Sequence, residues 1–534
     1  MASDLTEQMG PHHLPAADWT VIVLYLLAVM ALGIWFGKDQ RTTRDYFLGS
    51  RNVPWWAIGL SIVAAETSAL TIIGVPAMAY GGDLSFVQMI LGYGIARVIL
   101  ATVMVPHYLR GEIYSPYHLF AQAFGAPARQ TAGGFFLLSE TLAAGVRVYV
   151  ACIPIQLMLG LQVLPAIVLF VALSLVYTYI GGVKAVIWTD ALQFGLFLLG
   201  GLFALAYIPT LVEGGWAGVL ARAGEGGRLH WLNTQLAVAR DAGLAEFIRV
   251  CLAKPFNLWM GILGGTFVTM SSHGAEQLIV QRVLACRTVA DGRKALILSA
   301  VVILPLFLIF LLAGAMLWVF YQSHPFQVPL PEVKPGSGIQ ANDFIFPIFI
   351  LTETPPVLRG FLIVAILSAA MSSVSSALTS LASVSTMDFV KPWVRERSEI
   401  FYLRFSQVST VGWAVALIGV AYLSREVAFV LNAAFSLRGL TSGGLLGGLL
   451  LVVFWRQGRA APVITGMLAS LAVMTAIQIL PKMAWSRGAW NVWVGGEIFW
   501  PWFTLIGTAV TVVVAWTTRR LFGGGGKAPT PPPA

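Results

Sequence analysis

Uncharged apolar runs of about twenty residues recur from residue 19 almost to the end of the chain. A run of that length crosses a bilayer as a helix, because backbone polar groups in lipid must be satisfied within their own segment. The chain is 57% hydrophobic and 11% charged, with a mean hydropathy of +0.79, whereas a soluble domain is about 25% charged. These features exclude a water-soluble fold, and the lack of short alternating stretches excludes a membrane β-barrel.

The positions of these runs predict an all-α polytopic membrane protein with about thirteen transmembrane helices. The longest runs are expected to contain bends or terminal loops, since about 20 residues suffice for a crossing. We place the helices at residues 19–37, 55–80, 85–106, 132–160, 163–181, 185–208, 248–280, 295–321, 345–388, 402–422, 427–454, 461–480 and 499–518.

Lysine and arginine residues are distributed unevenly between the predicted loops. Every second loop, starting with the loop that contains Lys38, belongs to a set that holds about twenty of these residues, and we place Arg282 in a loop of this set. The loops between them hold about eight. Because basic residues concentrate on the cytoplasmic side, we expect the N-terminus outside, the C-terminus in the cytoplasm and a location in the inner membrane. The net charge of +9 is then explained by the basic cytoplasmic loops, and we expect no nucleic-acid partner.

Polar residues interrupt the apolar segment LSIVAAETSALTIIGVPAMAY, residues 60–80, at Glu66, Thr67 and Ser68. Charged residues inside such runs are costly and are functional candidates by default. One interpretation is a discontinuous helix whose freed carbonyls coordinate a cation. The other is a kinked helix whose hydroxyls bond to its own carbonyls, which explains the hydroxyls but not the glutamate.

Serines dominate one face of LSAAMSSVSSALTSLASVSTMD, residues 367–388. Ser372, Ser375 and Ser376 fall at i, i+3 and i+4, with Ser373 on the flank, so their hydroxyls share a helix face. They could ligate a small cation such as Na⁺, or they could let helices pack closely; both interpretations stay open.

Asp190 lies about two turns inside the helix of YTYIGGVKAVIWTDALQFG, residues 177–195. Its carboxylate could complete a cation site with the serines. It could equally cap a helix or pair with a lysine.

A second polar interruption occurs in TMSSHGAEQLIVQRVLACR, residues 269–287, at Ser272, His273 and Glu276. It lies five predicted helices after the interruption at Glu66. Paired broken helices in two halves of a chain indicate an inverted-repeat transporter with its site near the membrane midplane.

Two arginines, Arg147 and Arg438, lie inside apolar segments. An arginine stays charged and binds carboxylates through two parallel hydrogen bonds, so either could contact an anionic substrate. Glu140, two turns before Arg147, could instead neutralise it structurally. The cysteines, Cys152, Cys251 and Cys286, are too dispersed for a disulfide framework or a metal site.

The segment GGVKAVIWTDALQ, residues 181–193, resembles the signature of the sodium:solute symporter family, which includes sugar, proline, sialic acid, iodide and monocarboxylate symporters. Further similarities are DYFLGSRNVPWWAIGLS at 45–61, QRVLACR at 281–287 and SAAMSSVSSAL at 368–378, followed by Asp388. The resemblance implies a LeuT-like core of two inverted five-helix repeats. These are helices two to six (about 55–208) and seven to eleven (about 248–454), with one helix before and two after.

The sequence itself predicts three parts of the chain: a periplasmic leader (1–18), a transporter domain (19–520) and a disordered, Gly- and Pro-rich cytoplasmic tail (521–534). The family resemblance also implies two ion sites. The site common to the family corresponds here to backbone oxygens of Ala64, Thr67 and Ala369 and hydroxyls of Ser372 and Ser373. A second site, present in some members, corresponds to Asp190, Ser372, Ser375 and Ser376, which is compatible with two sodium ions per cycle.

We therefore expect a sodium-coupled secondary active symporter that imports a small polar solute, an organic anion such as a monocarboxylate. Na⁺ is the coupling ion and no other cofactor is expected; the sequence does not set the oligomeric state. Glu66 departs from the Asp, Asn or uncharged residue usual in the family. The candidate substrate contacts are Glu66, Ser68, Arg147, Ser272, His273, Glu276 and Arg438.

Several alternatives stay open. The solute could be neutral: a sugar, amino acid, vitamin or nucleoside. The coupling ion could be a proton instead of sodium, carried by Asp190 or Glu66. The chain could also be a channel, or a membrane sensor without transport. An enzyme is not expected, because no zinc motif, nucleophile elbow or paired carboxylates of defined spacing is found.

Overall fold

The computed structural model describes residues 14–38, 40–234, 243–330, 341–394, 396–424, 428–455 and 458–522. Within these ranges all regular secondary structure is helical, which confirms the predicted all-α class. Most of the predicted leader and tail lies outside the described residues.

The first half of the described chain contains nine α-helices and the connecting segments between them. Helices α5 and α6 are joined by a π-helical turn, Leu100–Met104, and a 3₁₀ turn, Ile208–Leu211, follows α9. The helices are α1 (Ala16–Gly37), α2 (Thr43–Leu48), α3 (Trp55–Glu66), α4 (Ala69–Gly81), α5 (Val87–Ile99), α6 (Val105–Leu109), α7 (Tyr117–Phe124), α8 (Ala126–Leu159) and α9 (Val163–Tyr207).

The remaining helices follow the same pattern of long apolar segments and short connecting helices. Two π-helical turns, Met260–Gly264 and Ser271–Ala275, flank α12. The helices are α10 (Gly215–Glu225), α11 (Leu244–Ala253), α12 (Gly265–Met270), α13 (Gln277–Leu284), α14 (Val289–Ser323), α15 (Ile345–Glu353), α16 (Leu358–Val384), α17 (Lys391–Trp393), α18 (Glu399–Ser424), α19 (Ala428–Trp455), α20 (Ala460–Ile479), α21 (Ala484–Trp493) and α22 (Trp502–Phe522).

Eight helical segments of the described chain are long and apolar enough to cross a membrane. A ninth candidate is the pair Trp55–Glu66 and Thr71–Gly81, which is bent by 58°. The chain is therefore a polytopic membrane protein. The eight segments are Ala16–Gly37, Val87–Leu109, Val163–Leu211, Val289–Ser323, Leu358–Trp393, Glu399–Ser424, Arg438–Trp455 and Ala460–Ile479.

Two predicted helices are interrupted where proline precedes a strained residue. The prediction over 248–280 is broken near Phe256, which follows a proline and has φ 47°. The prediction over 345–388 is broken near Val357, which follows two prolines and has φ 72°. Proline lacks the N–H that a continuing helix needs, so these runs contain the breaks that their length led us to expect.

Helix α9 has 45 residues, about 68 Å at the usual rise, more than twice the thickness of the hydrocarbon core. Gly182 divides it, with φ 53° and ψ −153°. This turn falls between the predicted helices 163–181 and 185–208. The two parts of α9 pack against α1 and α16, which places Asp190 beside the serine-rich helix.

Replacing Gly182 by alanine is expected to destabilise the protein. A Cβ atom there would lie 2.5 Å from the Tyr46 carbonyl oxygen, and the positive φ is strained for any residue but glycine. Such strain costs on the order of 1–3 kcal/mol, so the Tm of the purified protein should fall. Gly195→Ala, in the same helix with nothing within 4 Å of its Cβ position, is the control; an equal Tm loss in both variants would contradict the prediction.

Candidate functional site

The break between α3 and α4 lies at Thr67 and Ser68, both in extended conformations. The Ser68 N–H donates to Thr71 Oγ1 (3.3 Å) instead of the Ala64 carbonyl, its partner in a continuous helix. The Thr71 N–H donates to the Ser68 carbonyl (2.8 Å) instead of the Thr67 carbonyl. The segment is therefore a discontinuous helix, and the carbonyls of Ala64 and Thr67 lose their helical partners.

Two further observations concern side chains of residues that the family resemblance assigns to the common sodium site. The Thr67 hydroxyl is buried and has no hydrogen-bond partner in the structure. On α16, the Ser373 hydroxyl donates to the Ala369 carbonyl (3.2 Å), and the Ser372 hydroxyl donates to Asp190 (2.7 Å). Freed carbonyls and a buried hydroxyl without a partner form an oxygen-rich environment of the kind that a hard cation prefers.

A small pocket lies against the first break and α16. Three predicted site residues, Ser68, Arg147 and Ser373, line it together. The full lining is Ser68, Ala144, Arg147, Val148, Ala151, Phe170, Ala370, Ser373 and Val374. The structure thus brings a candidate substrate arginine and a candidate ion ligand to one cavity.

The second break follows the π-helical turn Ser271–Ala275 at Glu276, which is extended (φ −97°, ψ 131°). It lies directly beside the first break. His273 Nε2 is 3.5 Å from Glu66 Oε2 and 3.1 Å from Arg97 Nη2, and Arg97 forms a salt bridge with Glu66. Both polar interruptions are therefore helix breaks, and their side chains are in direct contact.

The remaining charged candidates are neutralised in pairs. Arg438 donates through Nε and Nη2 to the Glu276 carboxylate, with Nε 3.0 Å from Oε2. Arg147 donates through Nη2 to Glu140 (2.7 Å) and through Nε to the Ala143 carbonyl (3.2 Å). The predicted neutralisation by Glu140 is present, and Arg147 still reaches the pocket.

Asp190 is completely buried and accepts three hydrogen bonds. Ser372 donates to Oδ1 (2.7 Å), Ser61 donates to Oδ2 (2.6 Å), and Arg282 Nη2 donates to Oδ2 (2.7 Å). The partner of this carboxylate is an arginine, not the lysine considered from the sequence.

The assignment of Arg282 to a cytoplasmic loop is wrong. It lies within α13 and is 1% exposed, because its charge is balanced by Asp190 rather than by solvent. Its Nη2 also donates to Ser376, a residue of the predicted second sodium site. The guanidinium therefore contacts two residues of the predicted second site, Asp190 and Ser376.

Sequence reasoning missed Arg97 and Ser61 as members of the site. Arg97 interrupts the apolar segment 85–106, so the rule applied to the other buried charges could have found it. Ser61 carried no such signal, since an isolated serine in an apolar helix most often bonds to its own backbone.

Comparison with known proteins places this geometry in a family. The model of the "Sodium:solute symporter family" matches residues 46–470. The sodium/sialic acid symporter of Proteus mirabilis is 27% identical over 96% of this chain and 97% of its own length. The human sodium/iodide cotransporter is 28% identical over 86% and 69%, and human sodium-coupled monocarboxylate transporter 1 is 28% identical over 87% and 74%.

Solved structures agree on the fold. A Na⁺-coupled sialic acid symporter in a substrate-bound, outward-open state has a TM-score of 0.80 at 23% identity, covering 96% of this chain and 99% of that one. A closed nucleobase-cation-symport-1 transporter has a TM-score of 0.53 at 14% identity, covering 89% and 93%. These matches show a LeuT-like fold. With the family model matching most of its length, the chain belongs to the sodium:solute symporter family.

Proposed function

We propose that the protein imports a small organic anion with a carboxylate, driven by the sodium gradient. The observation that carries this proposal is the pocket that Arg147 shares with Ser68 and Ser373. An arginine binds a carboxylate through two parallel hydrogen bonds. Because Ser373 belongs to the proposed ion site, solute and ion would occupy adjacent positions and stabilise each other.

The sodium ion would be bound by the family's common site. The carbonyls of Ala64 and Thr67, released by the helix break, would bind it with the Ala369 carbonyl and the hydroxyls of Ser372 and Ser373. Although Ser372 donates its proton to Asp190, a hydroxyl oxygen keeps lone pairs for a cation. Inward movement of one Na⁺ across 100 mV supplies about 2.3 kcal/mol.

Arg147 fits an anion better than Arg438 does. Arg438 uses Nε and Nη2, one complete edge of its guanidinium, for Glu276. Arg147 donates from the same two nitrogens, to the Ala143 carbonyl and to Glu140, but it lines the pocket with Ser68 and Ser373, and Arg438 is not among the lining residues.

The relatives support an anion but differ in its kind. Their names specify sialic acid, iodide and monocarboxylates. Sialic acid and monocarboxylates share the carboxylate that Arg147 would bind. A neutral solute is the alternative, and Glu140, which cancels the charge of Arg147, is the observation in its favour.

The test is uptake by purified protein in liposomes, with labelled sialic acid, lactate, iodide, glucose and proline. We expect an inward Na⁺ gradient to concentrate a carboxylate solute, and an equal K⁺ gradient to leave it unconcentrated. Uptake driven by a pH gradient alone would indicate proton coupling. Exclusive uptake of glucose or proline would support the neutral alternative, and no uphill uptake of any solute would favour a channel or a sensor.

We further propose thirteen crossings, with the N-terminus outside and the C-terminus cytoplasmic in an inner membrane. Beyond the eight segments and the bent pair, the additional crossings would come from the division of α9 at Gly182, from α8, from the broken segment through α12 and α13, and from α22. The two repeats would span about 55–208 and 248–454, within a transporter domain of 19–520. Contact between the two broken helices supports this arrangement.

A further inference from the structure

We propose that the surface where α19 and α22 end binds the headgroup of an anionic phospholipid such as phosphatidylglycerol. The inference goes beyond the proposed function, because it concerns the surrounding membrane and not the solute or the ion. The feature that carries it is a pair of arginines, Arg519 and Arg520, in the last turn of α22.

Both arginines stack on tryptophan rings. Arg519 Cζ lies 4.5 Å from the ring centroid of Trp455, the last residue of α19, and Arg520 Cζ lies 3.7 Å from that of Trp516, one turn earlier in α22. Helices α19 and α22 pack against each other and against α20, which begins directly after Arg459. Since α19 and α20 contain candidate crossings, three arginines lie where three packed helices reach the membrane surface.

Stacking leaves the hydrogen-bond donors of both guanidinium groups available. A guanidinium that stacks on a ring uses its face, whereas its five N–H groups lie at its edges and fit two oxygens of a phosphate. Within the described part of the chain, the ring contacts are the only charged or polar interactions that Arg519 and Arg520 make. Each arginine is thus held beside a ring with its phosphate-binding edge unused.

The surrounding chain does not balance the charge of these arginines. From Ala428, where α19 begins, to residue 534, the only acidic side chain in the sequence is Glu497. Glu497 precedes α22, whereas the arginines lie in its last turn. A helix of 21 residues is about 30 Å long, well beyond the screening length of about 8 Å. This surface therefore carries positive charge that attracts an anion from outside these helices.

Apolar side chains beside the arginines favour a lipid over a soluble anion. Phe454 precedes Trp455 and is 75% exposed, and Leu521 follows Arg520 and is 71% exposed. Tryptophan is enriched at the depth of the headgroups, so apolar side chains next to the rings are placed to contact acyl chains. A phospholipid satisfies both features, since its phosphate would bind the arginines while its acyl chains cover Phe454 and Leu521.

The proposed topology places this surface at the leaflet that contains such lipids. The C-terminal end of α22 faces the cytoplasm in that topology. Anionic lipids give the cytoplasmic leaflet a negative surface potential, and basic clusters next to membrane helices are attracted to it.

The inference is tested by native mass spectrometry of the purified protein with equal amounts of phosphatidylglycerol and phosphatidylcholine. We expect the wild type to bind phosphatidylglycerol more tightly. Arg519→Gln/Arg520→Gln should weaken phosphatidylglycerol binding about 25-fold, or roughly fivefold for each arginine, and leave phosphatidylcholine binding unchanged. The matched control is Lys482→Gln/Arg487→Gln, which removes two exposed charges beyond the other end of α20 and should keep the preference.

Equal binding of the two lipids by the wild type would overturn the inference, and so would a preference that survives in Arg519→Gln/Arg520→Gln. Inorganic phosphate in millimolar excess should not displace phosphatidylglycerol; displacement would show a site for free phosphate and contradict the lipid assignment. The Tm without added lipid checks that both double variants fold, and the wild-type comparison decides even where a variant is unstable. None of these outcomes depends on uptake of a solute, so they are independent of the proposed function.

Discussion

Replacing Arg147 by glutamine is expected to weaken carboxylate binding by about 1.5–3 kcal/mol, or roughly 10- to 150-fold. The loss arises because a neutral amide replaces charge-assisted hydrogen bonds between the guanidinium and the solute. The measurement is the KM of sodium-driven uptake, together with competition by unlabelled carboxylates. Binding of ²²Na⁺ in the absence of solute should change little, since Arg147 is not among the proposed ion ligands.

A loss of uptake in Arg147→Gln has a second possible cause, because Glu140 is 2% exposed and would lose its partner. An unpaired buried charge is destabilising. The control is Glu140→Gln/Arg147→Gln, which removes both charges. If that protein is stable and still has a raised KM, Arg147 binds the anion; wild-type KM in both variants would contradict the role assigned to it.

Replacing Ser373 by alanine is expected to raise the sodium concentration for half-maximal uptake about tenfold or more, the effect of losing one oxygen contact to a charged group. The fold should tolerate this change, because the only hydrogen bond described for the Ser373 hydroxyl is to the Ala369 carbonyl of its own helix. The sodium dependence of uptake and ²²Na⁺ affinity would both be measured.

Ser380→Ala provides the matched control for Ser373→Ala. Ser380 is also buried in α16, and its hydroxyl bonds to the Ala377 carbonyl of the same helix (3.0 Å). It lies outside the pocket and the proposed ion site. Sodium affinity should therefore fall in Ser373→Ala and stay constant in Ser380→Ala; equal affinities in the two would show that the serines serve only helix packing.

The sequence was informative wherever a polar group lies in an apolar run. Glu66 and Glu276 marked two helix breaks, because a carboxylate inside lipid needs a specific partner. The structure adds what periodicity cannot supply, namely that the breaks meet through His273. It also decides between a kinked and a discontinuous helix at Thr67, since this depends on which carbonyl the Ser68 N–H reaches.

Arg282 shows where sequence reasoning fails. The sequence predicts a loop position for it because other basic residues, including Arg287, follow it closely, and a positive cluster after an apolar run is typical of a cytoplasmic loop. Its true position depends on Asp190, which is 92 residues away in the sequence. A single sequence contains no signal for such long-range charge pairing, whereas local patterns predicted the helices.

The pairing of Asp190 with Arg282 also restricts how this protein can change over generations. Losing one partner of a buried pair costs about 3–5 kcal/mol, a large part of the roughly 5–15 kcal/mol that stabilises a typical protein domain. A lineage that lost the arginine first would carry a buried anion until the aspartate also changed or another cation replaced it. The two positions are therefore expected to co-vary among related sequences: a substitution at one should be accompanied by a substitution at the other.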